Sequence, residues 1–242
     1  MKIVVVVPTY NEAANVAPLV RRILALGPAY EALVVDDDSP DGTAAVVAGL
    51  GDPRVHLLVR TADRGLGTAV RDGFAAALEL GADFVGQIDA DGSHDPAAFP
   101  ALLDRLLAGA ADVMIGSRYL AGSAIRGWGL HRHANSRVAN RLTRWFTRLP
   151  VADATNGLRL FRREVLEAID LGRLRSRGYS VILETNYRAH RAGFRLGELP
   201  ITFHPRAAGE SKMGPREVVR FCAFLVKLTT EAQRHREGRR QN

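Results

Sequence analysis

The first half of the chain alternates short apolar runs with segments of helical periodicity. Runs that are rich in β-branched residues and bounded by turn signals are typical of buried strands. They predict strands at residues 3–7, 33–35, 55–59, 84–88 and 113–115. Apolar positions spaced for one helical face predict helices at about 11–25, from 41–43 onward, at 67–80 and at 96–107.

This alternation, with its short connections, favours an α/β fold. Helices are expected to cover both faces of a mostly parallel, Rossmann-like central sheet. Past residue 120 we predict a loop at 122–129, helices at 132–149, 164–169 and 185–192, a strand at 196–203 and a long helix at 215–236. No linker or repeat interrupts the chain, so one domain is predicted over 1–242, with parts at 1–120, 121–215 and 216–242.

The formal net charge of +7 indicates an anionic partner. Nucleic acid, anionic lipid and phosphorylated substrates all fit that charge. No nucleic-acid-binding motif is visible, so no nucleic-acid partner is expected. The single cysteine, Cys222, excludes an internal disulfide and a cysteine-based zinc site, and its apolar surroundings predict a packed thiol.

No stretch of about 20 apolar residues occurs, so no membrane-spanning helix is predicted. The apolar run at 3–7 is too short for a signal peptide, which predicts a cytoplasmic protein. The helix at 132–149 carries an apolar face beside a stripe of arginines. The apolar face comprises Val138, Leu142, Trp145, Phe146 and Leu149, and the stripe comprises Arg137, Arg141, Arg144 and Arg148. Contact with anionic lipid and packing against the core both explain this pattern, whereas packing is expected for the last helix.

Polar segments follow all five predicted strands of the first half. In an open parallel sheet, ligands bind outside the carboxyl ends of the strands. The segments are residues 8–12, 36–43, 64–68, 89–94 and 116–119. The sequence therefore predicts a binding site at this edge of the sheet.

Asp89 and Asp91 are the most informative of these polar residues. Two carboxylates two positions apart, just past a strand, can both reach one cation. Hard oxygen ligands suit Mg²⁺ or Mn²⁺, and such an ion stabilises a leaving diphosphate. An acidic turn is the simpler alternative, because aspartate also favours turns.

The acidic run at 36–38 has two compatible interpretations. Asp36 would accept hydrogen bonds from a nucleotide base, while Ser39 or Asp41 would cap the following helix. Basic residues later in the chain, at Arg118, Arg132, Arg206 and Lys212, are candidates for gripping phosphate. Solvated surface charge is the alternative for any one of them.

Together the motifs resemble those of inverting nucleotide-diphospho-sugar glycosyltransferases of GT-A fold, glycosyltransferase family 2. Within that family the chain is most similar to the dolichol-phosphate and polyprenol-phosphate mannosyltransferases. The motifs lie at residues 8–12, 36–43, 89–94, 116–119 and 209–213. The resemblance implies that 1–120 binds the sugar nucleotide and 121–215 the acceptor. The segment at 153–159 departs from the commoner Ser-Gly-Phe pattern, which leaves the acceptor side open.

The resemblance also implies roles for individual residues. The nucleoside would be held by Pro8, Tyr10, Glu12, Val34 and Asp36. Diphosphate and metal would be held by Asp89, Ala90 and Asp91, and Ser93 stands where some relatives place a metal-binding glutamine. Donor and acceptor phosphates would be gripped by Arg118, Arg206 and Lys212, joined by Arg132. Asp89, Asp91, Arg118, Arg206 and Lys212 are the expected catalytic residues.

The implied reaction moves a hexose, best matched by mannose from GDP-mannose, to a polyprenyl phosphate with inversion. It depends on Mg²⁺ or Mn²⁺ and takes place on the cytoplasmic face of a membrane, where the protein binds peripherally. A phosphate monoester is largely ionised at neutral pH, because its second pKa is about 6, so this acceptor needs no general base.

Three alternatives remain at this point. A related enzyme would use another sugar nucleotide of the UDP-glucose type, or a hydroxyl acceptor. A hydroxyl acceptor needs a base, for which Asp153 and Glu184 are candidates. A nucleotidyltransferase would show a glycine-rich phosphate loop near the N-terminus, and residues 8–12 form none. A non-enzymatic protein that binds nucleic acid is the most distant alternative.

Overall fold

The computed structural model describes residues 1–176, 178–206 and 224–225. Its strands are β1 (Ile3–Thr9), β2 (Tyr30–Asp36), β3 (Val55–Val59), β4 (Phe84–Gln87), β5 (Val113–Ser117), β6 (Ala124–Ile125), β7 (Arg159–Arg162), β8 (Leu196–Pro200) and β9 (Thr202–Phe203). Its α-helices are α1 (Ala13–Leu24), α2 (Thr43–Ala48), α3 (Leu66–Glu79), α4 (Phe99–Leu107), α5 (Leu130–Thr147), α6 (Arg163–Ala168) and α7 (Ser180–Arg191). Short 3₁₀ turns at Pro96–Ala98 and Leu171–Arg173 precede α4 and α7.

Seven strands form one sheet in the order β3-β2-β1-β4-β7-β5-β8. All neighbouring pairs are parallel except those of β7, which runs antiparallel to both β4 and β5. The α/β architecture with a mostly parallel sheet is therefore confirmed. The order reverses direction between β1 and β4, which places a crevice at the carboxyl ends of these two strands.

Alternation along β1 divides the core into two layers, one on each face of the sheet. Val4 and Val6 belong to the layer that includes Phe74 of α3 and Leu183 of α7. Ile3, Val5 and Val7 belong to the opposite layer, with Leu19 of α1 and Leu102 of α4. Every one of these side chains is at most 4% exposed. Helices cover both faces, as the continuous apolar runs predict.

Gly73 shows how closely α3 approaches the sheet. A Cβ atom at this position would lie 2.5 Å from Cγ1 of Val6 and 2.9 Å from Cγ2 of Val35. Only glycine allows this approach without a shift of the helix or the strands.

The second half departs from the predicted elements in two places. The strand expected at 196–203 is two strands, β8 and β9, and β9 pairs with β6 inside the loop predicted at 122–129. Strand β7 was not predicted, because a charged residue, Arg159, interrupts its short apolar run. The helix predicted at 215–236 lies outside the described residues except for 224–225, as do Cys222 and Lys212.

The described part of the chain contains no helix both long and apolar enough to cross a bilayer. The division into parts at 1–120, 121–215 and 216–242 stays a prediction.

Candidate functional site

The candidate site lies where β1 and β4 end side by side. Strand β4 ends at Gln87, and the loop that follows carries Asp89, Ala90 and Asp91. The end of β9 reaches the same loop, since the backbone N–H of His204 donates to the carbonyl oxygen of Ser93 at 2.9 Å. Distant parts of the chain thus meet at one edge of the sheet.

Asp91 is held in place and paired with a cation. One carboxylate oxygen accepts from the backbone N–H of Ser93 at 2.9 Å. The other lies 3.0 Å from Nη2 of Arg206, and only 12% of the Asp91 side chain is exposed. Nη1 of the same guanidinium lies 3.7 Å from the Glu12 carboxylate. The structure therefore brings Asp91, Arg206 and Glu12 together, as the expected site requires.

Asp89 is the least compensated carboxylate of the site. No hydrogen-bond donor among the described residues reaches its oxygens, and Nδ1 of His94 lies 3.7 Å from Oδ2. Although 28% of its side chain is exposed, the surrounding protein desolvates the carboxylate and raises its pKa. The negative charge of Asp91 adds to this, while His94, Arg159 and Arg118 oppose it.

The backbone of Gly157 packs directly against Asp89. A Cβ atom on Gly157 would lie 2.6 Å from each carboxylate oxygen. The carboxylate therefore occupies the space that any side chain at this position would need. The only sequence signal for Gly157 is that the segment at 153–159 keeps the glycine of the Ser-Gly-Phe pattern while its neighbours differ.

The two carboxylates fit a divalent cation that is completed by other ligands. Within the described residues, no three of His, Cys, Asp and Glu come together in a cluster able to hold a metal. Ser93, the expected third ligand, is 3% exposed, and its backbone N–H donates to the Asp91 carboxylate. Mg²⁺ sites of this type use one or two carboxylates, with substrate phosphates and water as further ligands. The desolvated charge of Asp89 suits such an ion.

Arg118 is clamped by a buried acid. Its Nε and Nη2 donate to the two oxygens of Asp153 at 2.7 and 2.8 Å, and its backbone N–H donates to the same carboxylate at 3.0 Å. Nη2 also donates to Thr155 at 3.1 Å. Although burial opposes the charge, these bonds to Asp153 raise the pKa of Arg118. The cation is permanent and its orientation is set by Asp153.

Arg132 has the least compensated positive charge of the cluster. No carboxylate of a described residue forms an ion pair with it, and its guanidinium lies 4.3 Å from the ring centroid of Trp128. Partial burial, followed by the positive charges of Arg118 and Arg206, lowers the pKa of Arg132. Three arginines thus share one region, which favours an anion there.

The acidic run at 36–38 is fully accounted for by separate partners. Asp36 is completely buried and accepts from the Thr9 hydroxyl at 2.8 Å and from the Ser39 hydroxyl at 2.6 Å. Asp37 accepts from Arg60 at 2.7 Å, and Asp38 pairs with Arg64. A nucleobase that reaches Asp36 must therefore share or displace the Ser39 contact.

The remaining nucleoside candidates occupy different environments. Tyr10 is 41% exposed just past β1, and Glu12 is 7% exposed beside Arg206. Pro8 lies near the end of β1 and is half-buried, whereas Val34 lies inside β2 with no exposed surface. The side chain of Val34 contributes to the core beside Val7 and does not line the site edge.

Both candidate bases for a hydroxyl acceptor are already engaged. Asp153 has no exposed surface and holds Arg118. Glu184 is 1% exposed, accepts from the backbone N–H of Ser176 at 3.0 Å, and pairs with Arg188 at 2.8 Å. A carboxylate whose oxygens hold arginines is a poor proton acceptor, so neither residue suits general-base catalysis.

A buried cation that no sequence pattern indicated lies beneath the site. Arg159 of β7 has no exposed surface, donates to the carbonyl of Ile182 at 3.0 Å and to the Asn186 side chain at 3.2 Å, and also contacts Gln87. Burial lowers the pKa of Arg159 to about 9, opposed by the charge of Asp89. The only sequence signal is an arginine within an otherwise apolar run.

Helix α5 presents its apolar stripe to solvent. Val138, Leu142, Trp145 and Phe146 are between 39% and 73% exposed, and the four neighbouring arginines are exposed as well. The helix instead faces the body with Asn140, Thr143 and Thr147, and Asn140 accepts from the backbone N–H of Ala154 at 3.1 Å. Packing of the stripe against the core is therefore wrong for these four residues, and only Leu149, past the helix end, is buried.

A family model and two curated relatives all identify this chain as a member of one glycosyltransferase family. Residues 4–170 match the family model of Glycosyl transferase family 2. A polyprenol monophosphomannose synthase from Mycolicibacterium smegmatis is 44% identical over 212 residues, covering 86% of this chain and 80% of the relative. An undecaprenyl-phosphate mannosyltransferase from Micrococcus luteus is 40% identical over 215 residues, covering 88% of each.

Solved structures confirm the GT-A fold. A crystal structure of glucosyl-3-phosphoglycerate synthase from Mycobacterium tuberculosis, in complex with Mn²⁺, UDP and glucosyl-3-phosphoglycerate, superimposes with a TM-score of 0.68. That match covers 93% of this chain and 77% of the other, at 21% identity. At such low identity the similarity concerns the fold alone.

Proposed function

Because this chain belongs to glycosyl transferase family 2 and is a glycosyltransferase, we propose that it transfers a hexose from a nucleotide-sugar to a polyprenyl phosphate. Mannose from GDP-mannose is the proposed donor, and transfer inverts the anomeric configuration. The observation that carries this proposal is the arginine cluster of Arg118, Arg132 and Arg206 beside the Asp89 and Asp91 carboxylates.

The acceptor class follows from charge and from the engagement of the two acids considered as bases, Asp153 and Glu184. A lipid phosphate is already anionic, so it needs cations to hold it near the anionic donor rather than a group to deprotonate it. Arg132 offers an uncompensated charge, and Arg118 offers one whose direction Asp153 sets. Since Asp153 and Glu184 are engaged, a hydroxyl acceptor is disfavoured.

The donor side rests on Asp89 and Asp91. These residues would hold Mg²⁺ or Mn²⁺, which supplies Lewis-acid stabilisation of the departing diphosphate when bound. A structure of the same fold was crystallised with Mn²⁺ and UDP, which is consistent with use of a divalent cation by this chain. Arg206 pairs with Asp91, and it would also stabilise the negative charge that develops on the departing diphosphate.

The sugar and nucleotide rest on the relatives. Both curated relatives are named for mannose transfer to a polyprenyl phosphate. The family resemblance adds GDP as the nucleotide, with Pro8, Tyr10, Glu12 and Asp36 around the nucleoside. Lys212 stays a proposed phosphate ligand and lies outside the described residues.

Helix α5 would bring the site to its lipid substrate. An exposed apolar stripe flanked by arginines matches an anionic membrane surface, where apolar side chains insert and arginines meet lipid headgroups. The helix also joins the site directly, because Arg132 lies in its first turn. Farther along, Asn140 accepts from the backbone N–H of Ala154 and donates to the hydroxyl of Thr155. Peripheral attachment to a membrane, on the cytoplasmic face, is thus part of the proposal.

A donor and acceptor screen tests the proposed function. Purified protein is incubated with GDP-mannose, UDP-glucose or UDP-mannose, each with a polyprenyl phosphate or the matching polyprenol, with and without chelator. We expect GDP and mannosyl lipid to form only when GDP-mannose is combined with the polyprenyl phosphate. Chelator should prevent the formation of both products. Equal transfer to the polyprenol would support a hydroxyl acceptor instead, and transfer that resists chelator would remove the metal from the proposal.

A further inference from the structure

His94 is buried beside the proposed metal-binding loop without satisfying its ring nitrogens. The residue is 2% exposed, and neither Nδ1 nor Nε2 has a hydrogen-bond partner in the described part of the chain. Buried polar atoms are normally paired, so an unpaired one next to a binding site calls for a functional explanation. The mechanism described above does not use this side chain.

The position of the imidazole is determined by β9. Phe203 packs edge-on against the ring, with centroids 5.1 Å apart, and the backbone of His204 is bonded to Ser93. Nδ1 lies 3.7 Å from Oδ2 of Asp89, just beyond hydrogen-bond distance. A hydrogen bond between them requires one of the two side chains to move by a fraction of an ångström, and Gly157, which packs against both carboxylate oxygens, restricts where Asp89 can turn.

The imidazole is placed as a donor to Asp89 rather than as a ligand of the ion. Among the described residues Asp89, Asp91 and His94 do not form a three-residue metal cluster. Nδ1 faces Asp89 and has no other hydrogen-bond partner among the described residues, so an N–H on this atom has Asp89 as its acceptor. A histidine that donates to a ligating carboxylate can fix the orientation of that carboxylate.

We propose that His94 is a positioning residue that donates from Nδ1–H to Oδ2 of Asp89 and thereby fixes the orientation in which this carboxylate would hold the cation. The inference rests on the proposed function, since it takes Asp89 as a ligand of that cation. It concerns the geometry of Asp89 and leaves the identity of sugar and acceptor open.

Three substitutions of His94 separate positioning from packing. Asn places an amide N–H near the Nδ1 position, Gln places one near Nε2, and Leu retains bulk without any donor. Mn²⁺ binding in the presence of GDP is measured by electron paramagnetic resonance, and thermal unfolding is followed on the same samples. H94L and H94Q should bind Mn²⁺ about 10–100-fold more weakly, whereas H94N should stay close to the unmodified protein.

Stability is expected to move independently of binding. H94L removes two unpaired buried nitrogens, so its unfolding temperature should not fall while its Mn²⁺ affinity does. Undiminished Mn²⁺ affinity in H94L, or equal affinity in H94N and H94Q, would overturn the inference. If the unmodified protein itself does not bind Mn²⁺ with GDP or UDP, the proposed function fails instead, so the two failures are distinguishable.

Discussion

At the scale of single residues, the charges at the sheet edge fall into two groups. Asp36, Asp37 and Asp153 have hydrogen bonds from hydroxyl, backbone or guanidinium groups that occupy their carboxylates. Asp89 lacks such donors among the described residues, and Arg132 lacks an acidic partner there. Unbalanced charge of both signs in one crevice is what a metal-bound diphosphate and a second phosphate would neutralise.

Replacing Asp91 should abolish transfer without unfolding the protein. Even residues that only support metal ligands typically change affinity or activity 10–100-fold, so D91A should lower kcat/KM by more than about 100-fold. The rate is measured with GDP-mannose and polyprenyl phosphate, and the fold by circular dichroism. D95N is the control, because Asp95 lies in the same loop region and pairs with Arg22 at the surface. Normal turnover by D91A would defeat the assignment.

Gly157 offers a second test at this scale. In G157A the new methyl group meets both Asp89 oxygens at 2.6 Å, so the carboxylate must move and Mn²⁺ binding should weaken at least about tenfold. G197A is a matched control, since its Cβ would lie 2.6 Å from the sulfur of Met114 in the core. G197A should lower stability by about 1–3 kcal/mol with unchanged Mn²⁺ affinity. Equal losses of affinity in both variants would indicate general disruption.

At the scale of elements, Asp41 joins the beginnings of two helices. Its carboxylate accepts from the backbone N–H groups of Ala13 in α1 and Thr43 in α2, both at 3.0 Å. Loss of such caps costs about 1–2 kcal/mol, so D41A should lower the free energy of unfolding by that amount in urea titrations at neutral pH. E167A, which removes an exposed ion pair with Arg163, should change it by less than about 0.5 kcal/mol.

The contribution of Asp41 should also depend on pH. Although partial burial opposes ionisation, hydrogen bonds from Thr43 and Ala13 lower the pKa of Asp41. A carboxyl whose pKa is lowered in the folded state stabilises the protein above its ordinary pKa, and this is lost as pH falls through the folded value. The difference in unfolding free energy between D41N and the unmodified protein should therefore shrink in acid. A difference that is constant from neutral pH to strong acid would contradict this.

Helix α5 carries the prediction of membrane contact. L142S/W145S should reduce binding to vesicles containing anionic phospholipid by at least about tenfold, since each buried apolar side chain contributes about 1.5–3 kcal/mol. Co-sedimentation measures the bound fraction. L107S is the control, because Leu107 is a 53% exposed apolar residue at the end of α4, outside α5. Binding that is equally weak in both variants, or that is unaffected in both, would argue against α5 as the contact surface.

At the scale of the whole molecule, we expect the fold to be independent of the proposed cation. Two apolar layers on a seven-stranded sheet form the core, and the carboxylate pair lies at the sheet's edge. Chelator should therefore abolish transfer. The unfolding temperature, measured by scanning calorimetry, should fall only by the amount that corresponds to the free energy of ion binding. For a protein of this size, about 1 kcal/mol corresponds to roughly 2–4 °C. Global unfolding by chelator would mean that the ion is structural.

Much of the architecture was predictable because β1 to β5 are apolar runs whose burial requires helices on both faces. The polar residues that directly follow these strands could be assigned to one edge, because parallel strands end there together, whereas Val34, inside β2, does not lie at that edge. Gly157, His94 and Arg159 could not be assigned roles, because their importance comes from contacts with Asp89 or with Gln87 and α7 across the molecule. The same holds for Asp153, whose engagement with Arg118 joins residues 35 positions apart.

The sequence by itself determined the alternation of strands and helices from β1 to β5, the edge at which polar groups collect, and the carboxylate pair after β4. These features depend on local periodicity and on short spacings. Only the tertiary structure decided which charges are compensated and which face of α5 is exposed. Hydrogen bonds and burial between distant segments depend on the packed chain, so no pattern along the sequence specifies them.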